Sequence, residues 1–167
     1  MHTSIWEREI RLPEFPKLQG DTKTDVLIIG GGICGLLCAY RLKEAGVDCI
    51  LVEANRIASG VTAGTTAKIT ALHGLIYGDL VRKYGMETAE KYYYVNRKAV
   101  EDFRKIAEKT ACDFEVQTAY TYSLEDRAKI EREFSLLRHL GASVELQYQS
   151  PLPVSFQAAV GLQEQAQ

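Results

Sequence analysis

Three glycines at the spacing G-x-G-x-x-G, namely Gly30, Gly32 and Gly35, directly follow the apolar run Val26 to Ile29. Each glycine has a separate physical use in binding a phosphate group. Gly30 permits a tight turn off a strand, Gly32 lets a pyrophosphate approach the backbone, and Gly35 lets a helix pack close to the strand. A helix that begins here would offer free N–H groups and the positive end of its dipole to phosphate oxygens. The spacing therefore predicts a pyrophosphate-binding turn.

A second apolar run, Ile50 to Val52, ends on the acid Glu53. An acid at this place can accept hydrogen bonds from both hydroxyls of an adenosine ribose, which favours FAD or NAD over NADP. The small residues Ala39 and Gly46 suit a helix that presses on a sheet and then turns. A buried strand–helix hairpin with a chance glycine cluster is the alternative, but strand, glycines, helix and acid agree with a dinucleotide site.

Composition and charge exclude several other function classes. The chain has 167 residues with 46% hydrophobic and 25% charged residues, which is ordinary for a globular protein. A formal charge of −2 gives no electrostatic reason to expect nucleic acid or an anionic membrane as a partner. No apolar run is long enough to span a membrane, and the N-terminus has no apolar signal core. We expect a cytoplasmic protein that acts on a small-molecule substrate.

The four cysteines, Cys34, Cys38, Cys49 and Cys112, contain no C-x-x-C pair and no metal-ligand spacing. Cys34 and Cys38 lie one helical turn apart, and we interpret them as small packing residues in a reducing compartment. No metal site is predicted.

The remaining pattern predicts an N-terminal arm over 1–24, a nucleotide-binding segment over 25–84, and a helical segment over 85–167 that begins a second domain. Helices are predicted over 75–84, 86–110 and 127–140, and short strands over 114–116, 119–123 and 144–146. The long helix should bury one stripe, formed by Tyr92, Val95, Ala99, Phe103 and Ile106. Pro151 and Pro153 mark a turn, after which no closing element is predicted.

Residues 54–74 are rich in Gly, Ala, Ser and Thr, residue types that let backbone approach a ligand and that supply hydroxyl groups. A plain surface loop favours the same residue types, so this alternative stays open.

Several segments together resemble one known family. They are S-I-W at residues 4–6, D-V-L-I-I-G-G-G-I-C-G at 25–35 with Glu53, T-A-G-T-T-A-K-I-T at 62–70 followed by H-G, and Y-V-N-R-K-A-V at 94–100. The chain resembles the N-terminal part of FAD-dependent oxidoreductases of the D-amino-acid oxidase superfamily, which includes glycine and sarcosine oxidases. It is similar in particular to bacterial members that carry a C-terminal Rieske domain. The resemblance implies an α/β fold, a partial Rossmann-type FAD-binding domain with the start of an α+β substrate domain.

The resemblance also implies roles by position. The pyrophosphate of FAD would contact the glycine turn, the ribose would contact the end of the second strand, and the ribityl chain would lie along the threonine-rich loop. The implied cofactor-binding residues are Gly30, Gly32, Ile33, Gly35, Glu53, Ala54, Asn55, Arg56, Thr62, Gly64, Thr65 and Thr66. Lys68 would lie near the isoalloxazine, where a cation stabilises negative charge on the reduced ring, although a solvated loop lysine is as reasonable. His73 is interpreted as a structural residue rather than a flavin-side group.

The activity implied by the resemblance is hydride transfer from a C–H bond beside an amine to the flavin, with no evident general base and no assigned catalytic residue. Two alternatives stay open, an NAD-binding dehydrogenase domain and a non-catalytic remnant with an incomplete nucleotide site. Family members are more than twice this length, so we expect a missing C-terminal half or a partner chain. We also expect residues 1–167 alone to bind FAD weakly or not at all and to show no oxidase turnover.

Overall fold

The computed structural model describes residues 12–150 and 155–167. The chain forms two compact units, Met1–Thr66 and Ala67–Gln167. This division falls before the domain boundary predicted at residue 84, which concerns the whole protein and stays a prediction. The S-I-W motif and the proline turn at Pro151 and Pro153 lie outside the described residues.

The first unit is built on a strand–helix–strand motif. Strand β1 (Val26–Ile29) leads into helix α1 (Ile33–Glu44), which returns the chain to strand β2 (Cys49–Val52), and a short helix α2 (Val61–Gly64) follows. The two strands are parallel, with Val26 opposite Cys49 and Ile29 opposite Val52. Helix α1 packs on both strands. This mixed α/β arrangement confirms the predicted fold class.

Two glycines make the turn between β1 and α1 possible. Gly30 has a φ of +109°, a conformation that side chains disfavour. A Cβ atom at Gly35 would collide with the carbonyl oxygen of Gly30. The first turn of α1 can therefore press against the end of β1 only because residue 35 has no side chain.

The second unit combines three helices with an antiparallel sheet. Its elements are α3 (Ile76–Tyr84), α4 (Met86–Ala107), β3 (Val116–Ser123), α5 (Arg127–His139), β4 (Val144–Gln147) and β5 (Ala158–Ala166). The strand order is β3-β5-β4, so β5 pairs with both other strands. Helix α5 packs on all three strands, and α3 packs on α4 and α5. The core comprises Ala71, Leu72, Tyr77, Ala89, Tyr93, Ile130, Leu137, Ala158, Val160 and Leu162.

Strand β5 corrects the prediction that no element follows the proline turn. Residues 158–162 are all buried, because the strand is central in the sheet and both of its faces are covered. The structure also joins the two short strands predicted over 114–116 and 119–123 into the single strand β3, with an irregularity between Gln117 and Ala119.

The buried stripe of α4 differs from the predicted one. The buried residues are Ala89, Tyr93 and Val100, whereas Val95 is 63% exposed. Helix α4 packs through the ring of Tyr93, which meets the ring of Tyr77 edge-on. Of the other predicted residues, Ala99 is exposed, and three are only partly buried, namely Tyr92, Phe103 and Ile106. The predicted stripe is therefore wrong: the buried face is rotated from it by about one residue.

The prediction that Cys34 and Cys38 are packing residues is also wrong. Cys34 and Cys38 are both exposed in the structure. The partly buried positions of α1 in this stretch are Gly35, Leu36 and Leu37, and the cysteines lie beside that face rather than on it.

A buried carboxylate caps helix α3 from a distant part of the second unit. Glu133 on α5 is 2% exposed. Its Oε1 accepts the N–H of Tyr77 at 2.8 Å, and its Oε2 accepts the N–H of Gly78 at 2.8 Å. Burial raises the pKa of Glu133, and the two backbone hydrogen bonds only partly offset that effect. Helix α3 has no cap from its own N-cap residue, so Glu133 supplies it.

We expect Glu133→Ala to lower the free energy of unfolding by roughly 1–3 kcal/mol, because two buried N–H groups lose their acceptor. The raised pKa means that the folded state binds this proton more tightly than the unfolded state does. The contribution of Glu133 is therefore complete below the unfolded pKa and declines as pH rises through the folded pKa. Urea unfolding between pH 4 and 8 should show this decline in the wild type and not in the variant. Glu90→Ala, at an exposed position on α4, is the control.

We expect Gly35→Ala to destabilise the first unit by roughly 1–3 kcal/mol, the usual cost of overpacking, because the new Cβ meets the Gly30 carbonyl. Gly64→Ala is the matched control, since a Cβ at Gly64 has no neighbour within 4 Å. Equal unfolding midpoints for the two variants would contradict the close packing of α1.

Candidate functional site

The carboxylate of Glu53 connects the end of β2 to the glycine turn. Its Oε2 accepts the N–H of Gly31 at 2.7 Å, and its Oε1 accepts the N–H of Asn55 at 2.9 Å. The N–H of Gly30 donates to the carbonyl oxygen of Val52 at 2.8 Å, which continues the sheet up to this point. The glycine turn and the acid that the sequence predicted to share a site are thus in direct contact.

The same backbone contacts set the protonation state of Glu53. The hydrogen bond from Gly31, followed by that from Asn55, lowers the pKa of Glu53. A carboxylate has about four acceptor positions, and the hydrogen bonds from Gly31 and Asn55 use two of them. Glu53 is therefore an anion at neutral pH that can still accept hydroxyl groups from a ligand.

The N-terminus of α1 is suited to an anionic group. Its N-cap residue, Gly32, provides no side-chain cap, and its first turn contains no acidic residue. Thr62 contacts this end of the helix, because its Oγ1 accepts the N–H of Ile33 at 3.1 Å. The N–H groups of Cys34 and Gly35, also in the first turn, have no intrahelical acceptor. The helix end therefore already holds one oxygen atom and has donors for others.

Residues that the sequence analysis missed complete the turn. Gly31 is buried, and a Cβ there would lie 2.9 Å from Cγ2 of Ile57 and 3.2 Å from Cβ of Glu53. The carbonyl oxygen of Gly31 accepts the N–H of Ala58 at 2.7 Å, and Ala58 has a φ of +54°. The middle glycine of the G-G-G triplet, Gly31, was the available signal, since the fingerprint spacing uses only Gly30 and Gly32.

The other cofactor-binding residues predicted in the first unit are exposed in the segments that follow Glu53 and Thr62. Ala54 and Arg56 are exposed in the loop after Glu53, where the carbonyl of Arg56 accepts the hydroxyl of Ser59 at 2.7 Å. Gly64, Thr65 and Thr66 are exposed at the end of the unit. Among the described residues, no hydrogen bond joins Gly64 or Thr66 to the glycine turn, and the roles of all three residues at the cofactor stay predictions.

Lys68 and His73 belong to the second unit. Lys68 is exposed and precedes Ile69, whose N–H donates to the carbonyl of Ala166 at 2.8 Å in an isolated bridge to β5. Nδ1 of His73 lies 2.9 Å from the hydroxyl of Tyr92, and the two rings meet edge-on. The predicted structural role of His73 and the predicted flavin-side role of Lys68 both stay predictions.

Within residues 12–150 and 155–167, no group of three or more His, Cys, Asp or Glu side chains could hold a metal ion. None of the helices described there has the length and apolar character needed to cross a membrane.

The first unit has the features that a dinucleotide requires. At Gly32, a Cβ would have only one neighbour within 4 Å, Oγ1 of Thr62 at 3.4 Å, so the backbone there is open to a ligand. Open backbone, free donors at the start of α1 and an ionised acid at the end of β2 together match the phosphate and ribose of a dinucleotide.

Known proteins were compared with the chain by sequence and by fold. The family model described as "FAD dependent oxidoreductase", DAO, matches residues 25–157. A Bacillus subtilis (strain 168) protein named as a Rieske 2Fe-2S iron-sulfur protein, YhfW, is 39% identical over 98% of this chain and 33% of its own length. Gamma-glutamylputrescine oxidoreductase of Escherichia coli (strain K12) is 33% identical over 45% of this chain and 18% of its own length.

Among solved structures, the L-amino acid deaminase from Proteus vulgaris matches 93% of this chain and 37% of its own chain, with a TM-score of 0.68 and 15% sequence identity. This similarity concerns the fold. The chain spans at most about a third of the length of these curated relatives. The family match covers most of the chain, including the glycine turn and Glu53. The chain therefore belongs to the DAO family of FAD-dependent oxidoreductases.

Proposed function

We propose that the protein oxidises a C–H bond beside an amine nitrogen, with FAD held by the glycine turn and by Glu53. The direct contact between Glu53 and Gly31 carries this proposal, because it joins a ribose acceptor to a phosphate-binding turn. FAD, when bound, supplies an acceptor for the hydride of the substrate C–H bond. Relatives about three times as long suggest that the whole protein has further chain that completes the flavin and substrate sites.

Each group of the first unit has a separate task in this proposal. Glu53 holds the ribose hydroxyls with the acceptor positions that the backbone leaves unused. The first-turn N–H groups of Cys34 and Gly35 donate to pyrophosphate oxygens, and Gly32 permits their approach. Ala54 and Arg56 lie beside the adenosine part. Thr62, Gly64, Thr65 and Thr66 line the pyrophosphate and ribityl chain.

Two further roles concern the reacting end of the cofactor. Lys68, as an exposed cation, would stabilise negative charge on the reduced isoalloxazine. The amine class of substrate is supported by the name of one relative, a gamma-glutamylputrescine oxidoreductase. We expect most substrate contacts to come from chain beyond these residues, since this chain matches only part of each relative.

Gly32→Ala should separate nucleotide binding from folding. The added methyl would have one protein neighbour, at ordinary contact distance, so the fold should persist while the pyrophosphate loses its approach. We expect FAD affinity to fall by roughly tenfold or more, which corresponds to about 1.4 kcal/mol or more. Fluorescence titration with FAD, on the protein with its complete chain, measures this, and an unchanged circular dichroism spectrum controls for folding. Unaltered affinity would place the pyrophosphate elsewhere.

Glu53→Gln should also weaken FAD binding, by roughly tenfold, because one acceptor oxygen becomes a donor that faces the ribose. Asp48→Asn, an exposed acid to amide change just before β2, is the matched control and should bind FAD as the wild type does. Because its pKa is lowered, Glu53 stays ionised at pH values where an ordinary glutamate begins to take up a proton. Wild-type affinity should therefore not change through this group between pH 7 and 5.

Absorbance distinguishes this proposal from an NAD-dependent one. The protein with its complete chain should purify with the visible spectrum of a flavin, and an added amine should bleach it in the absence of oxygen. A colourless protein that binds NAD through the same glycine turn would refute the FAD assignment.

A further inference from the structure

A groove of about 340 Å³ lies in the second unit between α4 and the end of β5. One wall carries Tyr93, Arg97 and Arg104 on a single face of α4, and the other carries Leu162 and Glu164 on β5. The volume lies in the range of pockets that hold small molecules. No role proposed above involves these residues.

A bulge in β5 shapes this groove. In the pairing of β3 with β5, Gln117 is opposite Gln165 whereas Ala119 is opposite Leu162, so β5 has an extra residue in between. Within this extra stretch Glu164 has a φ of +59°, a strained conformation for a residue other than glycine. Bulges and backbone strain of this kind often reorient groups toward a ligand.

Arg104 has hydrogen-bonding capacity that the protein does not use. Its Nε is buried and has no hydrogen-bond partner among the described residues. One Nη donates to the carbonyl of Glu164 over 3.4 Å, a long bond. A buried donor without an acceptor is unfavourable. Because Arg104 lines the groove, a carboxylate bound there would face a guanidinium group whose hydrogen-bonding capacity is only partly used.

The charges that face the groove leave a positive surplus. Arg97 and Arg104 line it together with Glu101 and Glu164. Glu101 accepts the Nζ of Lys105 at 2.8 Å, so its charge is balanced from outside the groove. Burial raises the pKa of Tyr93, and Arg97, which interacts with the hydroxyl group of Tyr93, partly offsets that effect. One carboxylate, that of Glu164, therefore faces two guanidinium groups.

We propose that this groove is a binding site for a small carboxylate with a short apolar chain. Arg104 and Arg97 bind the carboxylate, for which guanidinium groups have the matching fork of donors. Tyr93 and Leu162 contact the apolar chain.

Titration of the ¹⁵N-labelled protein with hexanoate, followed by two-dimensional NMR, tests the proposal. Hexanol and hexylammonium chloride have the same chain without the negative charge and are the control ligands. We expect saturable shifts with hexanoate only. The Nε–H signal of Arg104, assigned by its loss in Arg104→Lys, should shift with them because it reports on the charge beside the guanidinium. Arg104→Gln and Arg97→Gln should each weaken hexanoate binding by roughly tenfold. Arg82→Gln, at an exposed position on α3, should leave it unchanged.

Three results would overturn the proposal: no saturable shift with hexanoate, equal or tighter binding of hexanol or hexylammonium, or wild-type affinity in both groove variants. If Arg104→Gln fails to fold, Arg97→Gln decides the question alone, because Arg97 is exposed and its replacement leaves the core intact.

Discussion

The hydrogen bond between the Glu53 carboxylate and the N–H of Gly31 fixes the geometry on which the first unit depends. It connects the end of β2 to the turn that follows β1, and so it holds the two strand ends at one edge of the sheet. Once that edge is fixed, the start of α1 is fixed as well, since Gly35 packs against the carbonyl of Gly30. The phosphate donors and the ribose acceptor are thus prearranged by one short contact.

Both units use a carboxylate to bind backbone N–H groups, but with opposite electrostatic results. Glu53 is accessible to solvent, and its backbone contacts lower its pKa. Glu133 makes two similar contacts in a buried place, and there burial prevails and raises the pKa. The accessible carboxylate can receive a ligand, whereas the buried one is committed to the fold. Similar local chemistry thus serves binding in one unit and packing in the other.

Local sequence predicted the first unit well because its signals are close together in the chain. Strand, glycines, helix and acid all fall within residues 25–53, and each was found where expected. Strand β5 could not be found in this way, since its five consecutive buried residues lack alternation and its bulge interrupts the rest. The error on α4 has a related cause: the buried Tyr93 meets Tyr77, which lies on another helix, and the periodicity of α4 alone does not show that contact. The capping of α3 by Glu133 spans more than fifty residues and leaves no local pattern.

The central position of β5 has a consequence for the order of events during synthesis. Strands β3 and β4 each pair with β5 and not with one another. As the chain leaves the ribosome, both strands are made before residues 158–166 exist, and until then each has an unpaired edge. The residues of helices α3, α4 and α5 have also been made by that stage, since all three precede β5 in the chain. The sheet can form only when β5 pairs with β3 on one side and with β4 on the other. A chaperone that covers β3 and β4 until β5 has been made would therefore protect the nascent protein from pairing with neighbouring chains.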